Sequence, residues 1–346
     1  MPSKSLLLGA TLLALNSPAL ADHMGPSGVG SGAGLTVFAP DTLDEGHAAV
    51  GFRLTYTRPE RRSDEELKAL AGQHIHAHNT DYNLNASLGV AYGITHHLTV
   101  SAELPYVRRD DLREGTHAHS AGAALNGIEQ LGSVTGIGDM NLLAKYRIGR
   151  GEGAGIALIG GLNVPTGSTH KRSAEGERLE TEHQPGTGSW DPIAGASASI
   201  RMDAVQLTAS ALYQFSAKGA RRTRLGDRLQ GGIALSHRFG PVPHEHAESP
   251  NHHHGDELDD NDEEHAHSTW DAFVELGGEW EGRQKIDGEV EEASGGSWIY
   301  VAPGARFNSA SGWSAAAAIA LPVWQDIRAS HPDNRFRLML SLGRSF

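Results

Sequence analysis

The densest run of chemistry-bearing side chains lies between Pro241 and Ser268, reading PVPHEHAESPNHHHGDELDDNDEEHAHS. Seven imidazoles (His244, His246, His252, His253, His254, His265 and His267) alternate with carboxylates, and no Lys or Arg interrupts them. Imidazole suits Zn, Cu and Ni, and carboxylate oxygens can complete a coordination shell. Nothing in the segment fixes one geometry, so the expected chemistry is weak, exchanging capture of Zn, Cu or Ni. No resident cofactor is required. The competing reading is a solvated acidic linker with no site at all. Smaller groupings occur at His74, His76 and His78 and at His117 and His119, where alternate residues of an extended chain share a face. Polar decoration of loops is the plainer reading of both.

Enzymatic signatures are poor. The chain has no Cys, no H-E-x-x-H zinc site and no G-x-S-x-G elbow. His237 is expected at a strand end facing the membrane interface, without a convincing Ser partner. The net charge of −13 argues against nucleic acid as a partner.

The elements that must position these residues read as strands. From Met140 to Ile148, apolar Met140, Leu142, Ala144, Tyr146 and Ile148 alternate with Asn141, Leu143, Lys145 and Arg147. That period of two gives an extended strand one apolar and one largely polar face. Gly149 to Gly153 forms a glycine turn, and Ile156, Leu158, Leu162 and Val164 return in matching parity. The pattern recurs near 48–56, 82–92, 98–106, 190–202, 205–215, 229–239, 270–280, 298–307, 313–323 and 335–346. Pro303 and Gly304 blur the parity of the tenth segment. Long connections (58–80, 107–136, 165–189) alternate with short ones (95–97, 149–153, 202–204), as in barrels with long outer loops and short periplasmic turns.

The expectation is an all-β fold, a transmembrane antiparallel up-and-down β-barrel of about twelve strands in the bacterial outer membrane. Residues 1–21 read as a signal peptide with an A-x-A cleavage site, and 22–44 as a flexible periplasmic lead-in. Residues 45–346 form the barrel, with the His-rich insert 241–268 placed in the periplasm by strand parity. Tyr56, Tyr82, Tyr92, Tyr106, Trp190 and Trp313 fall near strand ends as interfacial girdles, and the terminal Phe346 resembles an assembly signal. On the inner face fall Arg53, Glu103, Lys145, Arg147, Arg201, Gln206, Gln214, Gln230, Arg238, Glu275 and Arg337. They either line a water-filled path or pair with one another and plug it. Phe273 and Trp324 are the inward aromatics.

The phrases YGITHHLTVSAELPYVRR (92–109), GIGDMNLLAKYR (136–147), GLNVPTG (161–167), QPGTGSWDP (184–192) and YVAPGARF (300–307) resemble a family of outer-membrane transporter-like proteins. That family is labelled for the meta-pathway of phenol degradation. The resemblance implies a barrel that moves small solutes across the outer membrane, with membrane lipid as its surroundings. The expected function is a channel or transporter for small solutes, linked to divalent metal ions through the His-rich loop. The alternatives are a channel for small hydrophobic or aromatic compounds, and a non-conducting metal-binding or structural barrel.

Overall fold

The computed structural model describes residues 34–120, 123–151, 153–240 and 267–346. Twelve antiparallel strands close into a barrel. They are β1 (Ala48–Pro59), β2 (Tyr82–Thr95), β3 (Leu98–Ser120), β4 in two segments (Ala123–Ile137 and Met140–Gly151), β5 (Ala154–Val164) and β6 (Asp191–Met202). β7 (Val205–Gln214), β8 (Arg228–Phe239), β9 (Thr269–Glu281), β10 (Gly296–Asn308), β11 (Trp313–Ile327) and β12 (Asn334–Ser345) complete the circuit. β1 pairs with β12 from Ala49↔Ser345 to Pro59↔Asn334, so neither terminal strand leaves an open edge. In hydrocarbon an unpaired backbone group has no water to turn to, which makes closure obligatory.

The alternating pattern segregates as expected. Phe52, Leu88, Val90, Leu142, Leu158, Leu235 and Leu340 are all exposed on the outer surface, forming an apolar belt with no core of its own. Aromatic side chains bound the belt at both ends. Tyr56 stacks on Tyr82 at 5.4 Å, and Tyr213 lies 6.4 Å from Trp280 at the long-loop end. Trp270 with Phe307 and His237 with Phe239 mark the short-turn end, with ring centres 4.9 and 4.6 Å apart. The chain is thus an outer-membrane barrel of the Gram-negative type.

Three connections differ from their sequence reading. Residues 107–136 are a two-stranded extension of β3 and β4, paired from Arg113↔Gln130 to Thr116↔Gly127, and not an irregular loop. Beyond the membrane no lipid imposes an apolar outer face, so no regular alternation marks the ribbon; its Leu112, Leu131 and Val134 are buried with Leu179 of the connection after β5. The connection after β1 contains α1 (Asp64–Ala71), started by a capping box in which Ser63 and Glu66 bond each other's backbone N–H. Leu67 and Ala71 of α1 are buried, and the absent Cβ of Gly115 on the ribbon leaves room for the Leu67 carbonyl. Finally, Val323 is an extra residue on β11, between the pairs Tyr300↔Pro322 and Ile299↔Trp324. The bulge flips the parity of β11 beyond it, so Trp324 faces outward, while Trp298 on β10 stays in phase with the inward Tyr300.

The described part of the N-terminal lead-in, 34–44, does not hang below the barrel but lies inside it. Leu35, Val37 and Leu43 are buried, and the segment's backbone finds partners on the inner wall. Glu275 accepts from the N–H groups of Leu35 and Thr36 at 2.8 and 3.2 Å and also from the Thr36 hydroxyl. Phe38 N–H donates to Ser210 Oγ at 3.0 Å, Leu43 N–H to Thr99 Oγ1 at 2.8 Å, and Lys145 Nζ to the Ala39 carbonyl at 3.0 Å. The sequence shows no period here because the segment is neither strand nor helix. Its carbonyls and N–H groups are satisfied by side chains of the wall.

Parity is testable by one pair of substitutions. Leu142→Arg places a charge against mid-membrane lipid, at a cost of about 2–4 kcal/mol. The expected result is impaired assembly, read as loss of the heat-modifiable band. Lys145→Gln faces the lumen and should assemble normally.

Candidate functional site

A carboxylate at the interruption of β4 organises the outer half of the lumen. Gly138 and Asp139 separate the two segments of that strand, and Gly138 N–H donates to the Pro105 carbonyl at 2.8 Å. Asp139 is buried. Its Oδ1 accepts from Gly167 N–H at 2.9 Å, and its Oδ2 from Thr187 N–H and hydroxyl at 2.6 and 2.7 Å. Both ends of the connection between β5 and β6 are thereby drawn onto the wall. Gly167 and Gly186 pass so close that a Cβ on either would sit 2.6 Å from the other's backbone. The connection turns back into the barrel, and Gln184 fastens it through Lys171 N–H, the Lys171 carbonyl and the Leu179 carbonyl at 2.8–3.0 Å.

This inward fold delivers Glu182 and His183 on a 3-10 turn, Thr181–His183. His78 reaches the same place from the connection after β1, where a two-residue strand, His78–Asn79, pairs with Arg113 and Glu114 of β3. Its N–H donates to the Ser330 carbonyl at 3.1 Å, tying in the turn between β11 and β12 that carries His331. The three imidazoles meet edge to face, with His78 4.5 Å from His183 and 4.6 Å from His331 between ring centres. Glu182 Oε1 lies 3.7 Å from both His78 Nδ1 and His183 Nε2. His183 Nε2 is buried without a hydrogen-bond partner. The cluster opens onto a lumen cavity of about 480 Å³, also lined by Asn83, Asn85, Asn141, Asn163, Gln214 and Trp298.

Burial sets the charge states. It pushes His183 down to about 3, drives His78 well below the ordinary imidazole value and lowers His331 too. Burial, reinforced by the like charges of Glu180 and Glu114, pushes Glu182 up to about 8. At neutral pH the imidazoles are therefore neutral, each with a lone pair available.

The inner-wall residues read from the sequence face inward and are engaged. Ser87 donates to Glu103 at 2.5 Å, Arg147 to the His96 carbonyl at 2.8 Å and Arg201 to Gln206 at 3.2 Å. Arg238 pairs with Asp271 at 2.9 Å, Arg337 with Glu279 at 2.6 Å, and Arg53 lies in the field of Glu275. Some of these charges pair with carboxylates, while Lys145 and Arg147 bond backbone carbonyls. Arg306, fully buried, also belongs to it, with its guanidinium 5.6 Å from the Phe273 ring centre. Its parity with Tyr300 and Ala302 was the signal for it.

The expected metal segment is placed differently. His244, His246, His252, His253, His254 and His265 lie outside the described residues, while His267 is described and exposed. The strand ends that flank it, Phe239 of β8 and Thr269 of β9, are at the short-turn end. The outer-loop histidines also part company, because a positive φ of 59° at His74 turns the chain. His74 stacks on His117 at 4.7 Å, and His76 bonds Glu114 at 3.2 Å, which raises it to about 9. Sequence reasoning missed Glu182, His183 and His331, since they come from separate connections with no shared spacing. His237 faces outward against Phe239.

Residues 72–244, half of the chain, match the family described as "Putative MetA-pathway of phenol degradation". No curated protein matches the sequence. An outer membrane channel from Pseudomonas putida F1 shares the fold, with a TM-score of 0.56, 16% identity, and coverage of 88% of this chain and 97% of that one. The CymD monoaromatic hydrocarbon channel is more distant, with a TM-score of 0.40 and 11% identity over 94% of this chain and 98% of that one.

Asp139 and Gly186 provide the test of this arrangement. Asp139→Ala orphans three donors at about 1–3 kcal/mol each, and Gly186→Ala forces the two backbones apart. Either change should speed tryptic cleavage at Lys171, Arg172 and Arg178 by about tenfold or more, while the heat-modifiable barrel persists.

Proposed function

The chain belongs to the MetA phenol-degradation family, and on that premise we propose that it is an outer-membrane channel for small solutes, with small apolar and aromatic compounds as its favoured class. The observation that carries the class is an apolar stretch of the inner wall. Phe273, Tyr300, Ala302, Ala318 and Met339 face the lumen and close on Leu35 of the N-terminal segment. With Leu35 over it the stretch is buried; once the segment yields, a partly desolvated solute gains by taking its place, at roughly 25 cal/mol per Å² of apolar surface covered. The family description, with its link to phenol, points the same way.

In this reading the polar cavity at the long-loop end admits the solute from outside. The segment 34–44 stands between that cavity and the short-turn end, held by hydrogen bonds to Glu275, Ser210, Thr99 and Lys145. Passage then requires the segment to yield, and its side-chain anchors are individually modest, about 1 kcal/mol net each. The barrel acts by admitting solute and not by transforming it.

The test is uptake of labelled phenol at low concentration by cells carrying the barrel. The expected result is faster uptake than in cells without it, and a further rise when 34–44 are deleted. Ala318→Asp, which puts a charge into the apolar stretch, should lower phenol uptake while leaving that of a small sugar unchanged. Uptake equal to that of barrel-free cells would mean a non-conducting barrel.

A further inference from the structure

We propose that His78, Glu182 and His183 form a binding site for one divalent transition-metal ion, of the Zn, Ni or Cu class, at the outer end of the lumen. The site is independent of the solute reading above and shares no residue with the His-rich segment 241–268.

The donor set is right in kind and in spacing. Among the described residues, the ligand atoms of His78, Glu182 and His183 all lie within 4.8 Å of one another. Two of the separations, from Glu182 Oε1 to His78 Nδ1 and to His183 Nε2, are 3.7 Å. Ligands about 2.1 Å from a tetrahedral centre stand roughly 3.4 Å apart, so small side-chain rotations close the set around one ion. Two imidazoles and one carboxylate, with a fourth position left open, is a common donor set for zinc.

The surroundings fit ligation better than packing. His183 is 2% exposed, yet its Nε2 has no hydrogen-bond partner. A buried polar atom left in that state is costly, and a bound cation removes the cost. Gln284 Nε2 donates to Glu182 Oε2 at 3.0 Å, which orients the carboxylate and leaves Oε1 free to bind. His331 stacks against His78 and holds its ring, while its turn is fixed by the bond from His78 N–H to Ser330. Arg109 donates to the His183 and Gln184 carbonyls at 3.3 and 3.1 Å, and Arg228 is paired with Glu281 at 3.4 Å. The open coordination position faces the 480 Å³ cavity, where water or a solute with a donor atom can take it. An ion here would also clamp together two outer connections that pack over the lumen.

The experiment uses the full chain refolded in detergent, with the seven histidines of 241–268 changed to Ser to remove competing imidazoles. Zn is titrated against a chromophoric chelator, and Co is titrated alone to read its visible absorption. The expected result is one ion per chain and intense tetrahedral Co bands. His183→Ala and His78→Ala should each lower Zn affinity by more than about tenfold, and Gln284→Ala by about 10–100-fold. The Co spectrum needs no substitution in the cluster, so it stands even if those variants fail to fold. Absence of both Zn binding and tetrahedral Co bands in the Ser background would overturn the proposal, as would affinity unchanged by His183→Ala in a heat-modifiable barrel.

Discussion

The pairing of β1 with β12 is the constraint from which the rest follows. A sheet in hydrocarbon cannot keep an open edge, so the last strand must find the first, and the register Val50↔Arg344 to Arg58↔Phe336 achieves it. Once closed, the wall has only two sides. Most Leu, Val and Ile of the alternation go to lipid, with Ile159 and Ile193 buried inside, and most charges go inside, while Arg344 lies at the rim over Trp313 and Phe346. An interior of fixed charges is costly unless they meet partners, and much of the lumen shows that partnering. Arg238 with Asp271 and Arg337 with Glu279 pair strand to strand, whereas Glu275 and Lys145 reach across to the backbone of residues 35–39. The N-terminal segment is thus part of the wall's charge balance and not an addition to it.

The outer half of the lumen is shaped by a different device. Asp139 interrupts β4 and draws both ends of the connection between β5 and β6 onto the wall, and the glycines at 167 and 186 let backbone lie on backbone. The phrases GIGDMN, VPTG and PGTG, separate in the chain, meet at this one carboxylate. A carboxylate accepting two main-chain N–H bonds and a hydroxyl, in partial burial, holds geometry more firmly than neutral bonds would. What it holds in place is the turn bearing Glu182 and His183.

Much of the fold was legible because lipid imposes a strict period of two. The strand positions, the even count and the alternation of long and short connections all follow from it. Legibility failed where that constraint lapses. Residues 107–136 rise beyond the lipid and pair without its period, and their buried Leu112, Leu131 and Val134 pack on a neighbouring connection. Val323 adds one residue to β11, and a sequence carries no mark of a bulge, so Trp324 faces outward and not into the lumen. Residues 34–44 bond through their backbone, which leaves composition silent. The site was harder still. The His-rich stretch before β9 is conspicuous because its ligands are neighbours in sequence, whereas His78, His183 and His331 come from three connections and meet only in the closed barrel. Only the inward Phe273 foreshadowed the apolar stretch of the wall.

The central claim is that the barrel encloses a wet cavity open to the cell exterior, with lipid on the opposite side of the same strands. The chain contains no cysteine, so single introduced thiols report accessibility without background. Asn85 on β2 lines the cavity, and Leu88, three residues on, is 67% exposed on the outer surface. The decisive measurement is labelling of Asn85→Cys and Leu88→Cys in intact cells with a membrane-impermeant maleimide. The account predicts rapid labelling at 85 and none at 88. Labelling at 88 with none at 85 would reverse the assignment of the two faces and contradict it.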